Sequence, residues 1–183
     1  MPDRDQLLAF LERYVPIDSN DETTHGRLKA FVSVTNDCFN RDHPPGHITA
    51  SAWIVDRHRS SALLVHHRKL DRWLQPGGHI EDDASVLEAS RREVAEETGL
   101  HAVEVYSEEI FDLDIHPIPA RNNEPAHLHY DVRFLFVADP DQSLRLSEES
   151  HDLRWFTNAE IHANGEGRSI NRMIEKALST LSD

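Results

Sequence analysis

Apolar residues near the start of the chain recur at the spacing of an α-helix. The first group stops at Pro16, a residue that cannot continue a helix. Its members are Leu7, Leu8, Leu11, Tyr14 and Val15. A second helix is predicted over residues 24–39, before a breaker-rich stretch at 40–45. Its apolar face is formed by Leu28, Phe31, Thr35 and Cys38. We expect these two helices to form an N-terminal extension.

From residue 48 onward the pattern changes to the alternation and short apolar runs that are typical of strands. Strands are predicted at residues 49–56, 62–67, 103–115, 128–138 and 153–156, and an amphipathic helix at 168–181. Helices that alternate with strands favour an α/β/α sandwich with a mixed sheet. The chain is expected to be one α/β domain, with a helical extension (1–45), a core (46–165) and a C-terminal helix (166–183).

Three glutamates lie close together on a helix predicted between the second and third of these strands. Ser85 is a suitable N-cap for this helix, and Gly99 is a suitable left-handed residue at its end. At about 100° per residue, Glu93, Glu96 and Glu97 lie on one face. Carboxylates this close repel one another unless a cation neutralises them, and their hard oxygen atoms suit Mg²⁺ or Mn²⁺. The pattern favours a divalent-metal site over a solvated acidic surface.

Residues 78–100 resemble the signature of the Nudix hydrolases, G-x5-E-x7-R-E-U-x-E-E-x-G-U, in which U is an aliphatic residue. The matching residues are Gly78, Arg92, Glu93, Val94, Glu96, Glu97, Gly99 and Leu100. The first glutamate of the signature falls on Ala84, although Asp83 lies one residue away. The preceding W-x-x-P-G-G-H, at 73–79, is similar to one Nudix subgroup.

The resemblance implies a Nudix-type pyrophosphohydrolase, which cleaves a nucleoside diphosphate linked to another group and uses Mg²⁺ or Mn²⁺. It implies that Glu93, Glu96 and Glu97 are metal ligands. The implied catalytic set is Arg92, Glu96, Glu97 and Glu149, in which Arg92 orients the glutamates. A carboxylate, Glu96 or Glu149, would accept the proton of the attacking water.

Two other Nudix functions stay open at this point. Because of Ala84, the alternative is a catalytically silent Nudix-like domain that binds a nucleotide. An isomerase of the isopentenyl diphosphate type needs a catalytic cysteine, and Cys38 lies in the second predicted helix. The hydrolase interpretation is therefore the favoured one.

Two glycines and two polar strand faces provide candidate contacts to a substrate. Gly77 and Gly78 permit close approach of the backbone to a diphosphate. Polar residues alternate with apolar ones at 111–116 and at 127–136, on two strands that would pair across the loop between them. These polar residues are Asp112, Asp114, His116, His127, His129, Asp131 and Arg133. Three interpretations are open: a solvated or structural hairpin face, a pocket wall, or a site for Zn²⁺, Mn²⁺ or Fe²⁺. The predicted substrate-binding residues are Gly77, Gly78, His127, His129, Asp131 and Arg133.

The charge of the chain limits its partners. Its 183 residues include 33 acidic and 19 basic ones, for a formal net charge of −14. So acidic a protein repels nucleic-acid polymers, whereas a small phosphorylated substrate is compatible because a bound metal reverses the local charge. The first residues carry charges and only a short apolar stretch, so we expect no secretory signal, no membrane span and a cytoplasmic location. Homodimerisation stays open.

Overall fold

A mixed β-sheet organises the chain, in a computed structural model that describes residues 2–121, 125–148, 150–164 and 167–180. Helices α1 (Arg4–Arg13) and α2 (Ser19–Val34) precede strands β1 (Gly46–Val55), β2 (Ser61–His67), β3 (Arg72–Leu74) and β4 (Gly77–His79). Helix α3 (Val86–Thr98) is followed by β5 (Glu104–Val105), β6 (Asp112–Ile118), β7 (His127–Val137) and β8 (Ser150–Thr157). Helices α4 (Asn158–Asn164) and α5 (Arg168–Ser179) come last.

Strand β1 lies at the centre of this sheet. It pairs in parallel with β7 and antiparallel with β2 and β4. Strands β3 and β8 extend the sheet from β2, and β5 and β6 extend it from β7. Every residue of β1 is buried, as expected for a strand that is covered on both faces.

The two faces of the sheet belong to two separate apolar clusters. Ile48, Ala50 and Ile54 point from β1 into a core that includes residues of α1, α2 and α3. Trp53 and Val55 point the other way, into a cluster with residues of α4 and α5. This opposition follows from the two-residue period of a strand. The predicted α/β sandwich with a mixed sheet and N-terminal helices is confirmed.

The element boundaries differ from the predictions at several places. Helix α2 begins earlier than predicted, because Asp18 accepts a hydrogen bond from the backbone N–H of Asp21 and caps it. It ends at Val34, so Cys38 lies beyond the helix, although it is fully buried. The single strand predicted at 103–115 is divided into β5 and β6, and the short elements β3, β4 and α4 were not predicted.

Among the described residues, no helix combines the length and the apolar character that a bilayer crossing requires.

Candidate active site and histidine cluster

Helix α3 presents the acidic residues and is held firmly at both ends. The Ser85 hydroxyl accepts a hydrogen bond from the N–H of Glu88, and Gly99 has the left-handed φ of 74° that suits glycine at a helix end. Ser90 donates to the carbonyl oxygen of Ser51 at 3.0 Å, which fastens the helix to β1. The predicted caps of this helix are thus both present.

The two glycines of β4 permit close packing on either side of the strand. A Cβ atom at Gly78 would lie 2.5 Å from Oε1 of Glu93, so only glycine lets that carboxylate approach the backbone. A Cβ at Gly77 would overlap Ser51 on the neighbouring strand. Both glycines therefore have a packing role, and their predicted contact with a diphosphate stays a prediction.

Arg92 joins the acidic groups of the site. Its NH1 donates to Oε1 of Glu93 at 2.9 Å and to Oε2 of Glu96 at 3.0 Å. Its Nε donates to Oδ1 of Asp83 at 3.1 Å, and NH2 donates to the carbonyl oxygen of His79 at 2.8 Å. One guanidinium thus holds three carboxylates and the end of β4, a geometry in keeping with the predicted role of Arg92 in orienting the glutamates.

Burial and nearby charge both act on Glu93. Burial raises the pKa of its carboxyl, Arg92 opposes this, and the charges of Glu96 and Glu81 raise it again, to about 7. A carboxyl in this position is stabilised as an anion by any further positive charge. A divalent cation would supply such a positive charge.

The donor set on α3 fits a hard divalent cation. Glu93 is buried against Gly78, the Oε2 atom of Glu97 is also buried, and the side chain of Glu96 is exposed. Within the described ranges, however, these three residues do not bring three ligand oxygens within 4.8 Å of one another. Mg²⁺ keeps several waters and needs only one or two protein carboxylates, so a site for it requires fewer ligands than the three predicted, and the assignment of Glu93, Glu96 and Glu97 stays a prediction.

A buried ion network lies on the sheet face that carries Asp131 and Arg133. Asp131 accepts hydrogen bonds from the hydroxyls of Thr49 and Ser51 at 2.9 and 2.8 Å and from Nε of Arg133 at 2.7 Å. Arg133 also binds Asp112 at 3.0 Å. Asp131 and Arg133 are 2% and 3% exposed, so the structure favours a structural role over the predicted contact with a substrate. The interpretation of this part of the hairpin as a solvated face is wrong, because Asp112 and Asp131 are buried.

The same network reaches the N-terminal helices through α5. Asp112 accepts hydrogen bonds from Arg172 at 2.8 Å and from Nζ of Lys176 at 2.7 Å. Lys176 also binds Asp21 of α2 at 2.8 Å. Although burial raises the pKa of Asp112, the surrounding cations outweigh it and hold that pKa below its ordinary value. Asp112 is therefore an anion that links β6, α2 and α5.

Histidines occupy the other end of this polar face. Strands β6 and β7 pair antiparallel, as predicted, with His116 opposite His129. His47 of β1 pairs with His129 in parallel register, and its ring centroid lies 4.9 Å from that of His129 and 5.1 Å from that of His127. His79 of β4 also contacts the group, at 5.0 Å from His47. The aspartates and the histidines predicted to act together thus form an ion network and a histidine cluster, which meet at the pair of Asp114 and His116.

Burial keeps two of these histidines neutral. It lowers the pKa of His47 to about 4, with further contributions from His79 and His127. It lowers the pKa of His129 to about 2, with contributions from His116 and His47. Sequence reasoning missed His47, although its alternation with Thr49 and Ser51 on one strand was a usable signal.

A cleft of about 370 Å³ opens between the N-terminal extension and the loop that precedes α3. Phe39, Asn40 and Arg41 line one side, and Ile80, Glu81 and Asp82 line the other. The extension therefore borders the acidic loop that precedes α3.

Comparison with known proteins identifies the family of this chain. The profile of the NUDIX domain matches residues 45–176. A probable DHNTP pyrophosphohydrolase of Lactococcus lactis subsp. cremoris is 30% identical over 146 residues, which cover 79% of this chain and 84% of that protein. The chain belongs to the Nudix family. Enzymes of this family generally use divalent metal ions, so the predicted metal requirement holds at that level.

Other Nudix relatives match over different lengths. The asymmetrical bis(5'-nucleosyl)-tetraphosphatase of Rattus norvegicus is 31% identical over 91 residues, and the match covers 50% of this chain. The chain spans only 56% of the rat protein's length. A crystal structure of an Ap4A hydrolase from C. elegans aligns with a TM-score of 0.59 at 16% identity, covering 74% of this chain and 97% of that one. This likeness shows the shared Nudix fold.

Ala84 and Glu149 are the two predicted positions that depart from the rest of the site. Ala84, which replaces the first glutamate of the signature, is exposed, and the neighbouring Asp83 carboxylate binds Arg92 in the same loop. Burial raises the pKa of Asp83, but the hydrogen bonds from Arg92 and from the N–H of Glu81 outweigh it and keep that pKa low. Asp83 thus supplies an anionic group beside Arg92. Glu149, the predicted second proton acceptor, lies outside the described residues.

Proposed function

We propose that this Nudix protein hydrolyses a small substrate in which a nucleoside diphosphate, or a related diphosphate, is linked to another group. The observation that carries the proposal is the placement of Glu93, held by Arg92 and admitted to the β4 backbone by Gly78. Burial and neighbouring acids raise the pKa of this carboxyl even beside Arg92, and a bound divalent cation would offset that penalty.

The residues of α3 have separate roles in this proposal. Glu93 and Glu97 hold Mg²⁺ or Mn²⁺, with Glu96 as a third ligand or partner. The bound cation would neutralise charge on the diphosphate. Arg92 keeps Glu93 and Glu96 in place through its hydrogen bonds at 2.9 and 3.0 Å.

The reaction is water attack at phosphorus. Glu96, whose side chain is exposed, takes the proton from the attacking water, with Glu149 as the other candidate. The oxygen of that water bonds to phosphorus, and the bridging P–O bond breaks, so two phosphate-bearing products leave. We assign Gly77 and Gly78 to the approach of the diphosphate.

The cleft beside the acidic loop is the proposed place for the non-phosphate part of the substrate. Phe39 and Ile80 supply apolar surface there, and Arg41 supplies positive charge. The named relatives act on a dinucleoside tetraphosphate and on DHNTP, which suggests a ring system joined to a phosphate chain. Of the predicted substrate contacts on β7, we retain His127 and His129, which are partly buried.

A phosphate-release assay with a matched pair of variants tests the proposal. Dinucleoside polyphosphates, DHNTP, nucleoside diphosphate sugars and nucleoside triphosphates are supplied with Mg²⁺ or Mn²⁺, with a coupling phosphatase where the products require it. Glu97→Gln should lower kcat/KM by about 100-fold or more. Glu88→Gln is the control, because Glu88 lies on the same helix but pairs only with Arg91 in an exposed position.

The outcomes separate the two functions that the family allows. Turnover that depends on Glu97 and not on Glu88 supports the hydrolase. Saturable nucleotide binding without turnover of any substrate would overturn it in favour of a silent binding domain, the function that Ala84 keeps open. Equal turnover by both variants would place the chemistry elsewhere.

A further inference from the structure

Three histidines from two neighbouring strands bring their ring nitrogens together. His47 lies on β1 directly beside His129 on β7, and His127 precedes His129 by two residues on the same face. One nitrogen from each of the three lies within 4.8 Å of the others. Over the residues that the structure describes, this is the only group of three or more His, Cys, Asp or Glu side chains that meets that criterion.

His47 makes the arrangement chemically unusual. Its side chain is 1% exposed, and neither of its ring nitrogens has a hydrogen-bond partner in the described part of the chain. Buried polar atoms are almost always paired, so an unpaired buried imidazole points to a group that completes it. Its neighbours within ring contact are His79, His127 and His129.

The contacts of His127 also fit those of a metal ligand. Nδ1 of His127 lies 2.9 Å from the carbonyl oxygen of Pro125. When Nδ1 donates its proton to that oxygen, Nε2 is left as a ligand, which is the usual second contact of a metal-binding histidine. Nε2 of His127 lies 3.3 Å from Nε2 of His129. Two nitrogens bound to one Zn²⁺ at tetrahedral angles are about 3.3 Å apart.

We propose that His47, His127 and His129 bind a divalent transition-metal ion of the Zn²⁺ class, at a site distinct from the carboxylates of α3. Three imidazoles select Zn²⁺, Co²⁺, Ni²⁺ or Cu²⁺ over Mg²⁺, which prefers oxygen. His127 and His129 are only partly buried, so a fourth coordination position stays open to water or to a phosphate oxygen. His116, paired with Asp114 at 3.1 Å, supports the ring of His129 from β6.

The two metal sites lie on opposite sides of β4. Gly78 faces Glu93 of α3, whereas the next residue, His79, contacts His47 and His129. Side chains alternate along a strand, so the carboxylates and the histidines do not share one ion. This separation lets metal binding at the histidines be measured independently of the α3 carboxylates.

Metal binding measured without substrate tests the proposal. The full chain, purified without a polyhistidine tag, is stripped with a chelator and titrated with Co²⁺ and with Zn²⁺. Tetrahedral nitrogen ligation of Co²⁺ gives intense visible absorption, which Zn²⁺ should abolish at about one equivalent. Mg²⁺ in excess should not. His47→Gln and His129→Asn should each weaken binding by more than about 100-fold, since loss of even an outer partner costs 10–100-fold.

Matched controls distinguish this site from the hydrolase proposal. His151→Asn removes an exposed histidine that contacts only His66 among the described rings, and it should leave the titration unchanged. Glu97→Gln should also leave it unchanged, whatever it does to turnover. Circular dichroism and thermal unfolding of the metal-free variants establish that they fold. The proposal is overturned when folded wild-type protein shows no tetrahedral Co²⁺ spectrum, when the His47 and His129 variants keep it, or when Glu97→Gln abolishes it.

Discussion

At the scale of single residues, Arg92 and Gly78 set the position of the Glu93 carboxylate. Arg92 draws it into a shared set of hydrogen bonds with Glu96 and Asp83. Gly78 leaves the space into which it fits. The family signature names these residues, but the reason for the glycine is visible only in the distance between β4 and α3.

Gly78→Ala should therefore impair catalysis more than stability. The added Cβ would lie 2.5 Å from Oε1 of Glu93 and displace that carboxylate. Because a misplacement of about 1 Å can cost 100-fold in rate, we expect kcat/KM to fall by about that factor. Steady-state kinetics beside thermal unfolding measure both effects. Gly26→Ala is the control, since a Cβ there meets nothing within 4 Å; equal activity of the two variants would contradict the assigned position of Glu93.

Asp114 gives a pH-dependent prediction at the same scale. Burial raises the pKa of its carboxyl, but the hydrogen bond from His116 and the charges of Arg133 and Arg172 outweigh it, so the folded pKa lies well below its ordinary value. In the unfolded chain this pKa is about 3.9. The stabilisation is thus fully present above about pH 4 and is lost as the pH falls towards the folded value.

Asp114→Asn should lower the free energy of unfolding by about 1–3 kcal/mol at neutral pH. Its difference from the wild type should shrink as the pH falls below about 4, where the carboxyl of the unfolded wild-type chain becomes protonated while the folded one stays charged until its lower pKa is reached. Urea unfolding at a series of pH values measures this difference. Asp5→Asn is the control, because the side chain of Asp5 is 82% exposed. A difference that stays constant down to pH 2 would show that the charge of Asp114 contributes nothing.

At the scale of elements, Lys176 connects three parts of the chain that are far apart in sequence. Its ammonium group binds Asp21 on α2 and Asp112 on β6, both at 0% exposure, and it also donates to the Tyr14 hydroxyl after α1. The neighbouring acids and burial raise the pKa of Tyr14, so its hydroxyl stays neutral. This contact fixes the N-terminal helices against the end of the fold.

Lys176→Ala should lower the free energy of unfolding by about 3–5 kcal/mol, because it leaves two carboxylates buried without their shared cation. Thermal unfolding should show a loss of stability on the order of 10 °C. Lys29→Ala removes a lysine from a surface ion pair with Glu12 and should cost less than about 1 kcal/mol. Equal costs for the two lysines would mean that the buried network adds nothing to a surface pair.

At the scale of the whole molecule, helices and strands follow from local sequence patterns, whereas the contacts between them do not. The α3 helix and its caps were predicted correctly, because each cap depends on residues within four positions of one another. The strand predicted at 103–115 was wrong as a single element, since residues 106–111 separate β5 from β6 and contain no glycine or proline to mark the break. Residues 38 and 39 were wrongly predicted to be helical, because they are apolar and buried without belonging to the helix.

The amino-acid sequence is enough to predict the Nudix family, the layered α/β architecture and the acidic helix with its arginine. These follow from spacings within short segments, where chain geometry leaves few alternatives. The burial of Asp112, Asp131 and Arg133, and the position of His47 beside the histidines of β7, are visible only in the folded protein. The contact between Lys176 and Asp21 spans 155 positions of the chain. Such contacts depend on strand register and on helix docking, which are set by the packing of the whole core and not by any local pattern.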